Sequence, residues 1–367
     1  MSEPAPVKRQ VGYYGVNFGC DPELFLTKDG SVIGAEKAIP EAGLYNKHIV
    51  LDGVQVELNP YPDTCRALLA NRIAAGFRTL RTHLATLDNI TVSFRAVVDI
   101  DKKELDSLSE KAKVLGCMPS FNIYDSKAAV RVSGETYLKR SAGGHIHLGA
   151  ARLKPYTKEL VALLDVLLGN TCVLIDRDPD APERRQVYGR AGEHRTPAHG
   201  IEYRTLSNFW LRAPELFSFV MGMSRLACSV LYTEKAASTP VYYSPAPPTW
   251  PAATELLKLV DLKLVEDAIN RNDLELAREN FNAIKPFLEE YVAFPSHSLG
   301  GSSTSLRSFD FFTKKIEEKG LEYWFPQDPM TAWCNLQDQH GHGWESFLMD
   351  AVYTEMQKVE AKAKVKI

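Results

Sequence analysis

Four short stretches, far apart in the chain, alternate polar and apolar residues with a period of two. They are Gly19–Leu26, carrying Asp21 and Glu23; Val50–Pro60, carrying Gln55, Glu57 and Asn59; Ser141–Gly149, carrying His145 and His147; and Gly200–Trp210, carrying Glu202 and Arg204. In a strand, side chains i and i+2 leave the same face. Each stretch therefore puts charged or imidazole groups on one face. Leu24 and Leu26, Val54, Val56 and Leu58, Ile146 and Leu148, or Ile201 and Tyr203 occupy the other. A half-buried sheet uses that pattern, and a helix does not. The expected fold is α+β: a curved, mainly antiparallel sheet whose polar faces share one concave surface, with helices on its convex side.

Tyr13 to Leu26 reads as one strand, with Pro22 at its start or at a bulge, because proline cannot donate to a ladder. Val50 to Pro60 also reads as one strand. On it Asp52 falls on the face opposite Gln55 and Glu57. Lys28-Asp-Gly30 is a hairpin signal. Helical spacing covers Thr64–Leu87, with Leu68, Leu69, Ile73, Phe77, Leu80 and Leu84 as the apolar stripe, and recurs over Pro155–Asn170 and Pro214–Leu231. The Pro/Ser-rich run Ser238–Pro251 reads as a linker. It separates a sheet-bearing domain, residues 11–237, from a mainly helical region, residues 252–367. His340 and His342 form a second histidine pair outside any strand pattern.

Composition narrows the function. A formal net charge of -3 offers no field for nucleic acid or an anionic membrane, so neither partner is expected. No apolar run is long enough to span a bilayer, and the N-terminus lacks a signal-peptide pattern, so the expected location is the cytoplasm. The six cysteines have no short paired spacing and read as free thiols.

If the four polar faces converge, several carboxylates and imidazoles share one site, and the carboxylates repel one another unless cations join them. An oxygen-rich set of that kind suits Mg²⁺ or Mn²⁺ rather than zinc. Arg184, Arg185, Arg190 and Arg195 fall in one glycine-interrupted stretch that reads as a basic loop, and guanidinium forks match phosphate. Carboxylates for metal, metal for phosphate and arginines for the transferred group make an ATP site, built without the Gly-x-x-x-x-Gly-Lys-Ser/Thr loop.

Gly-Cys-Asp-Pro-Glu-Leu-Phe-Leu, Asp-Gly-Val-Gln-Val-Glu-Leu-Asn-Pro, Gly-Gly-His-Ile-His-Leu-Gly and Glu-Tyr-Arg-Thr-Leu-Ser-Asn-Phe-Trp occur in this order. Together they resemble the phage-type carboxylate–amine ligases, amidoligase type 2, within the glutamine synthetase and glutamate–cysteine ligase superfamily. The resemblance covers roughly residues 15–235. It implies the glutamine-synthetase-like catalytic fold and an ATP-dependent ligase that joins a carboxylate to an amine through an acyl phosphate. The substrates would be small molecules, or a peptide or protein side chain, and an oligomer is compatible with it. It further implies that Asp21, His145 and Glu202 hold a metal near the nucleotide phosphates, and Glu23 and Glu57 hold one near the substrate carboxylate. Arg204, with Arg190 or Arg195, would bind the γ-phosphate and the acyl phosphate. His147 and Arg185 would lie against the nucleotide. Asp52 is the candidate for a further carboxylate beside Glu57. A phosphotransferase on the same scaffold, such as a guanidino kinase, and a non-catalytic nucleotide-binding module are the alternative readings.

Overall fold

Pro22 decides the first break in the chain. In the computed structural model, which describes residues 16–63, 66–113, 120–125, 137–149, 151–176, 178–237, 253–293 and 328–336, the expected single strand is two strands on either side of Asp21-Pro22. β1 (Asn17–Cys20) belongs to one sheet and β2 (Glu23–Lys28) to another. Proline offers no N–H to either ladder, so the chain changes sheets there.

The remaining strands are β3 (Ser31–Ile33), β4 (Ile49–Asp52), β5 (Gln55–Leu58), β6 (Ile90–Ser93), β7 (Val97–Asp99), β8 (Phe121–Asn122), β9 (Lys139–Ser141), β10 (Ile146–Gly149), β11 (Glu193–Arg195) and β12 (Ile201–Tyr203). The first sheet has the order β1-β10-β12-β11-β8. The second has the order β3-β2-β5-β4, with β6 also pairing β2, while β7 and β9 form a two-stranded ribbon. Every pairing is antiparallel. The fold is α+β, as the alternation requires.

Register carries the polar pattern across the first sheet. Gly19 stands opposite His147, His147 opposite Glu202, and Glu202 opposite Arg195. Directly opposed residues share a face, so one row of four strands presents imidazole, carboxylate and guanidinium together. The neighbouring row, Cys20, Ile146, Tyr203 and His194, faces the other way. Ile146, Leu148, Ile201 and Tyr203 are fully buried there. They join one apolar cluster with the helices Thr157–Leu164 and Pro214–Ala237.

The second alternating segment is also two strands. Asp52-Gly53-Val54-Gln55 is a two-residue hairpin turn, with Gly53 at φ 57. Glycine at the first central position is what such a turn favours. Asp52 pairs with Gln55 and Val50 with Glu57. The turn therefore reverses the parity expected of one strand and brings Asp52 onto the face of Gln55 and Glu57. The Lys28-Asp-Gly30 signal forms a hairpin, with Asp29 and Gly30 at φ 49 and 82 between β2 and β3.

The predicted 64–87 helix is Arg66–Leu84, with Leu69, Ile73, Phe77, Leu80 and Leu84 buried. Pro155–Asn170 becomes Thr157–Leu164, a π segment Asp165–Gly169 and Asn170–Val173. Beyond 252, the helices Leu262–Arg271, Leu274–Ala293 and Pro329–Cys334 add Val265, Ile269, Phe281, Ile284 and Trp333 to the same apolar cluster. Trp333 donates its indole N–H to Leu211 O at 2.6 Å. The linker 238–251 and the pair His340 and His342 lie outside the described residues. Cys20, Cys172, Cys228 and Cys334 are buried free thiols. No helix among the described residues is long and apolar enough to cross a membrane.

Candidate active site

The two sheets meet at Asp21-Pro22-Glu23, and two groups of ligand-type atoms meet there with them. Atoms of Asp21, His147 and Glu202 all lie within 4.8 Å of one another, and so do atoms of Glu23, Asp52 and Glu57. Asp21 serves the first group and Glu23 the second. Opposite pairing of Glu23 with Glu57 closes the second group from the sheet side.

In the first group, Asp21 faces two imidazoles. Its Oδ1 is 3.0 Å from His145 Nδ1 and its Oδ2 is 3.0 Å from His147 Nε2. His145 Nδ1 is also 3.6 Å from Glu202 Oε1. These contacts have ion-pair distances, but Asp21 Oδ1, His145 Nδ1 and His147 Nε2 make no aligned hydrogen bond although buried. Buried polar atoms are normally satisfied. Arg195 grips Glu202 with both arms, Nε to Oε2 at 2.7 Å and Nη2 to Oε1 at 2.8 Å, and Arg204 Nε adds a contact at 3.1 Å. Burial works against the Glu202 carboxylate, yet Arg195 and the imidazoles hold it below the usual range. Burial likewise opposes Asp21, and His145 and His147 overcome it, leaving its carboxyl far below that range. Burial pushes His145 down, while for His147 the Asp21 carboxylate outweighs burial and the imidazole is raised.

In the second group compensation is weaker: His145, Arg204 and Arg195 act on Asp52, and Arg204 on Glu23, without overcoming burial and the neighbouring carboxylates. Glu23 Oε2 accepts from Gly143 N and Gln55 Nε2, both at 2.6 Å, and Glu57 accepts from the Asn59 amide. Among the described residues, no lysine or arginine pairs with Glu23, Asp52 or Glu57 within 4.0 Å. Burial and the Asp52 carboxylate push Glu23 up to about 8. Burial and the neighbouring Asp21, Glu23 and Asp52 push Glu57 up to about 9. Burial raises Asp52 as well.

The glycines before the histidines let the strands come this close. A Cβ on Gly143 would stand 2.4 Å from His145 Nε2, and one on Gly144 would stand 2.2 Å from Ser207 O.

Several residues sit where sequence reading did not put them. His147, which the resemblance set against the nucleotide, completes the first triad. His145, which the resemblance assigned to the metal, turns its Nδ1 toward Asp21 and Glu202 while its Nε2 is taken by the Tyr188 hydroxyl. Arg204 is fully buried, and its Nη1 and Nη2 donate to Ser120 Oγ at 2.9 Å and Tyr188 Oη at 2.7 Å. Arg195 is the partly exposed guanidinium of the pair.

The basic loop is a helix, Ala181–Val187, followed by β11. Arg184 and Arg185 are its buried residues. Arg184 donates to the carbonyls of Ala142, Thr205 and Leu206 at 3.0, 3.0 and 2.8 Å. Arg185 donates to Gly189 O and faces Asp176 on the Tyr203 side of the sheet, so it does not join the cluster. Arg190 is exposed, and its carbonyl accepts from Thr205 Oγ1 and Glu193 N. Arginine-rich composition cannot say whether a guanidinium points out to a ligand or in to carbonyls. Asp52 was obscured by the turn. Tyr188 and His199 lie in connections, where no periodicity marks them.

Residues 117–284 match the family model described as phage phiEco32-like COOH.NH2 ligase-type 2. Over that stretch the chain is similar to the type 2 carboxylate–amine ligases. No curated protein matches the chain. The matched stretch contains His145, His147, Arg195, Glu202 and Arg204. The acids Asp21, Glu23, Asp52 and Glu57 precede it in sequence and are joined to it by geometry.

Proposed function

We propose that the chain is an ATP-dependent carboxylate–amine ligase acting through an acyl phosphate. The observation that carries this reading is the pair of triads placed back to back on Asp21-Pro22-Glu23. Five carboxylates, Asp21, Glu23, Asp52, Glu57 and Glu202, face two guanidiniums, Arg195 and Arg204. The unpartnered Asp21 Oδ1 and His147 Nε2, and the all-oxygen second triad, fit hard divalent cations such as Mg²⁺ or Mn²⁺. Bound there, such cations would neutralise the acids and draw charge from a phosphoryl group in transfer.

In the first step a substrate carboxylate oxygen attacks the γ-phosphorus of ATP. The bond from phosphorus to the bridging oxygen breaks, and ADP leaves. In the second step the amine nitrogen attacks the acyl carbon, phosphate departs with the acyl oxygen, and the nitrogen loses a proton. Arg195, exposed on one side and anchored by Glu202 on the other, is placed to meet the phosphoryl oxygens. Arg204 braces Glu202 from beneath. The buried floor of Glu23, His145, Glu202 and Arg204 would limit access of water to an acyl phosphate.

Incubation with ATP, Mg²⁺ and a panel of carboxylates and amines tests the reading. ADP and phosphate should be released in equal amounts, with a new amide mass in the product. A product that retains phosphate would make the chain a phosphotransferase, and ATP binding with no turnover across the panel would make it a nucleotide-binding module.

A further inference from the structure

His199 belongs to none of the polar strand faces and to neither triad. It is exposed in the connection between β11 and β12. Its Nε2 nevertheless lies 3.1 Å from Nδ1 of His147, with the ring centroids 5.2 Å apart. We infer that His199 is a positioning residue for the first triad: by accepting the Nδ1 proton of His147 it fixes the tautomer whose Nε2 lone pair faces the cation position beside Asp21 and Glu202. This rests on the first triad being a cation site, as proposed above.

Proton accounting carries the argument. A neutral imidazole has one N–H and one lone pair. The two nitrogens of His147 have unlike surroundings. Nε2 is buried, 3.0 Å from Asp21 Oδ2, and no hydrogen bond is aligned there. A proton on Nε2 would be spent off axis and would close the ligand set. Nδ1 faces another imidazole nitrogen within hydrogen-bond geometry. A proton on Nδ1 makes that bond and leaves Nε2 open toward the triad. Metal-bound imidazoles characteristically donate their second N–H to a fixed acceptor, which holds both tautomer and ring orientation.

The other histidine of the strand shows why this contact is separable from the core. The Nε2 of His145 is held by Tyr188, whose hydroxyl oxygen also accepts from the buried Arg204. Removing Tyr188 would disturb the interior. His199 reaches His147 from the surface, so its removal changes one acceptor and little else.

Mn²⁺ binding to the full chain, followed by electron paramagnetic resonance, tests the inference. Nitrogen modulation of the echo reports a coordinated imidazole, a signal the all-oxygen second triad cannot give. The dissociation constant of the nitrogen-coordinated Mn²⁺ should rise roughly 10–100-fold in His199→Ala. His199→Gln, whose amide oxygen reaches about as far as Nε2, should restore it. Thermal unfolding without metal should be the same for all three. With Mg²⁺ saturating, ¹⁵N spectra of selectively labelled histidines should show His147 protonated on Nδ1 in the wild type and not uniquely so in His199→Ala. Equal Mn²⁺ affinity in wild type and His199→Ala, or no restoration by Gln, overturns the role of His199 and leaves the cation site standing. Absence of a nitrogen-coordinated Mn²⁺ in the wild type overturns both.

Discussion

Asp21, His147 and Glu202 share their space with two arginines and a second histidine, whereas Glu23 and Glu57 accept from amides and, among the described residues, no lysine or arginine comes within ion-pair distance of Glu23, Asp52 or Glu57. The consequences run in opposite directions. In the first triad the carboxyls are held below their usual range. In the second, two carboxyls hold protons to about 8 and 9. The first group keeps its charge without a metal because guanidinium and imidazole are already there. The second must take up either protons or cations. The difference teaches that charge balance, rather than the number of acids, separates two sites built from similar residues.

The comparison can be broken most sharply at Glu23. Glu23→Gln should lower the rate of ADP release by roughly 10³-fold, the scale on which transition-state electrostatics operate. Asp21→Asn should do the same. If Glu23→Gln turns over normally while Asp21→Asn does not, the second triad has no part in the chemistry. Arg195→Lys is expected to cost less, about 10–100-fold in kcat, because a point charge replaces the two-armed grip on Glu202 and a planar fork for phosphate. An unchanged rate would remove Arg195 from the phosphoryl path.

Stability should separate the triads by pH. Glu23 and Glu57 bind protons more tightly folded than unfolded, since their ordinary value is 4.5 and their folded values are about 8 and 9. Their protonated state therefore favours the fold fully below about pH 4.5, and that support is lost as pH rises through 8 and 9. Without divalent cations, the unfolding temperature should fall between pH 6 and 9. Added Mg²⁺ should restore it most at the alkaline end, where no protons need be displaced. A flat profile, or equal rescue at every pH, would show that the second triad does not exchange protons for cations. The smallest effect is expected from Asp52→Asn, about tenfold weaker binding of the second cation with the nitrogen-coordinated Mn²⁺ unchanged. Calorimetric titration counts the two.

Sequence periodicity made the core of this arrangement legible. Alternation in Gly-His-Ile-His and Ile-Glu-Tyr-Arg placed His147 and Glu202 on polar faces, and ladder register sets them opposite each other, with Arg195 of the next strand opposite Glu202 in turn. What it missed has local causes. A two-residue turn shifts parity by one, which put Asp52 on the wrong face. Pro22 ends one ladder and begins another, so an apparent single strand supplies both sheets. Arg184 and Arg185 looked like a ligand loop because composition carries no direction. Tyr188 and His199 act through contacts between chain segments, which no spacing along one segment encodes.

Asp21 and Glu23 are separated by one imino acid. Two residues of extended backbone span about 7 Å, and proline holds one of the intervening dihedrals nearly fixed. The offset between the two triads is thus written into a tripeptide and not into the docking of one layer on another. Changes elsewhere in the chain leave that ruler the same.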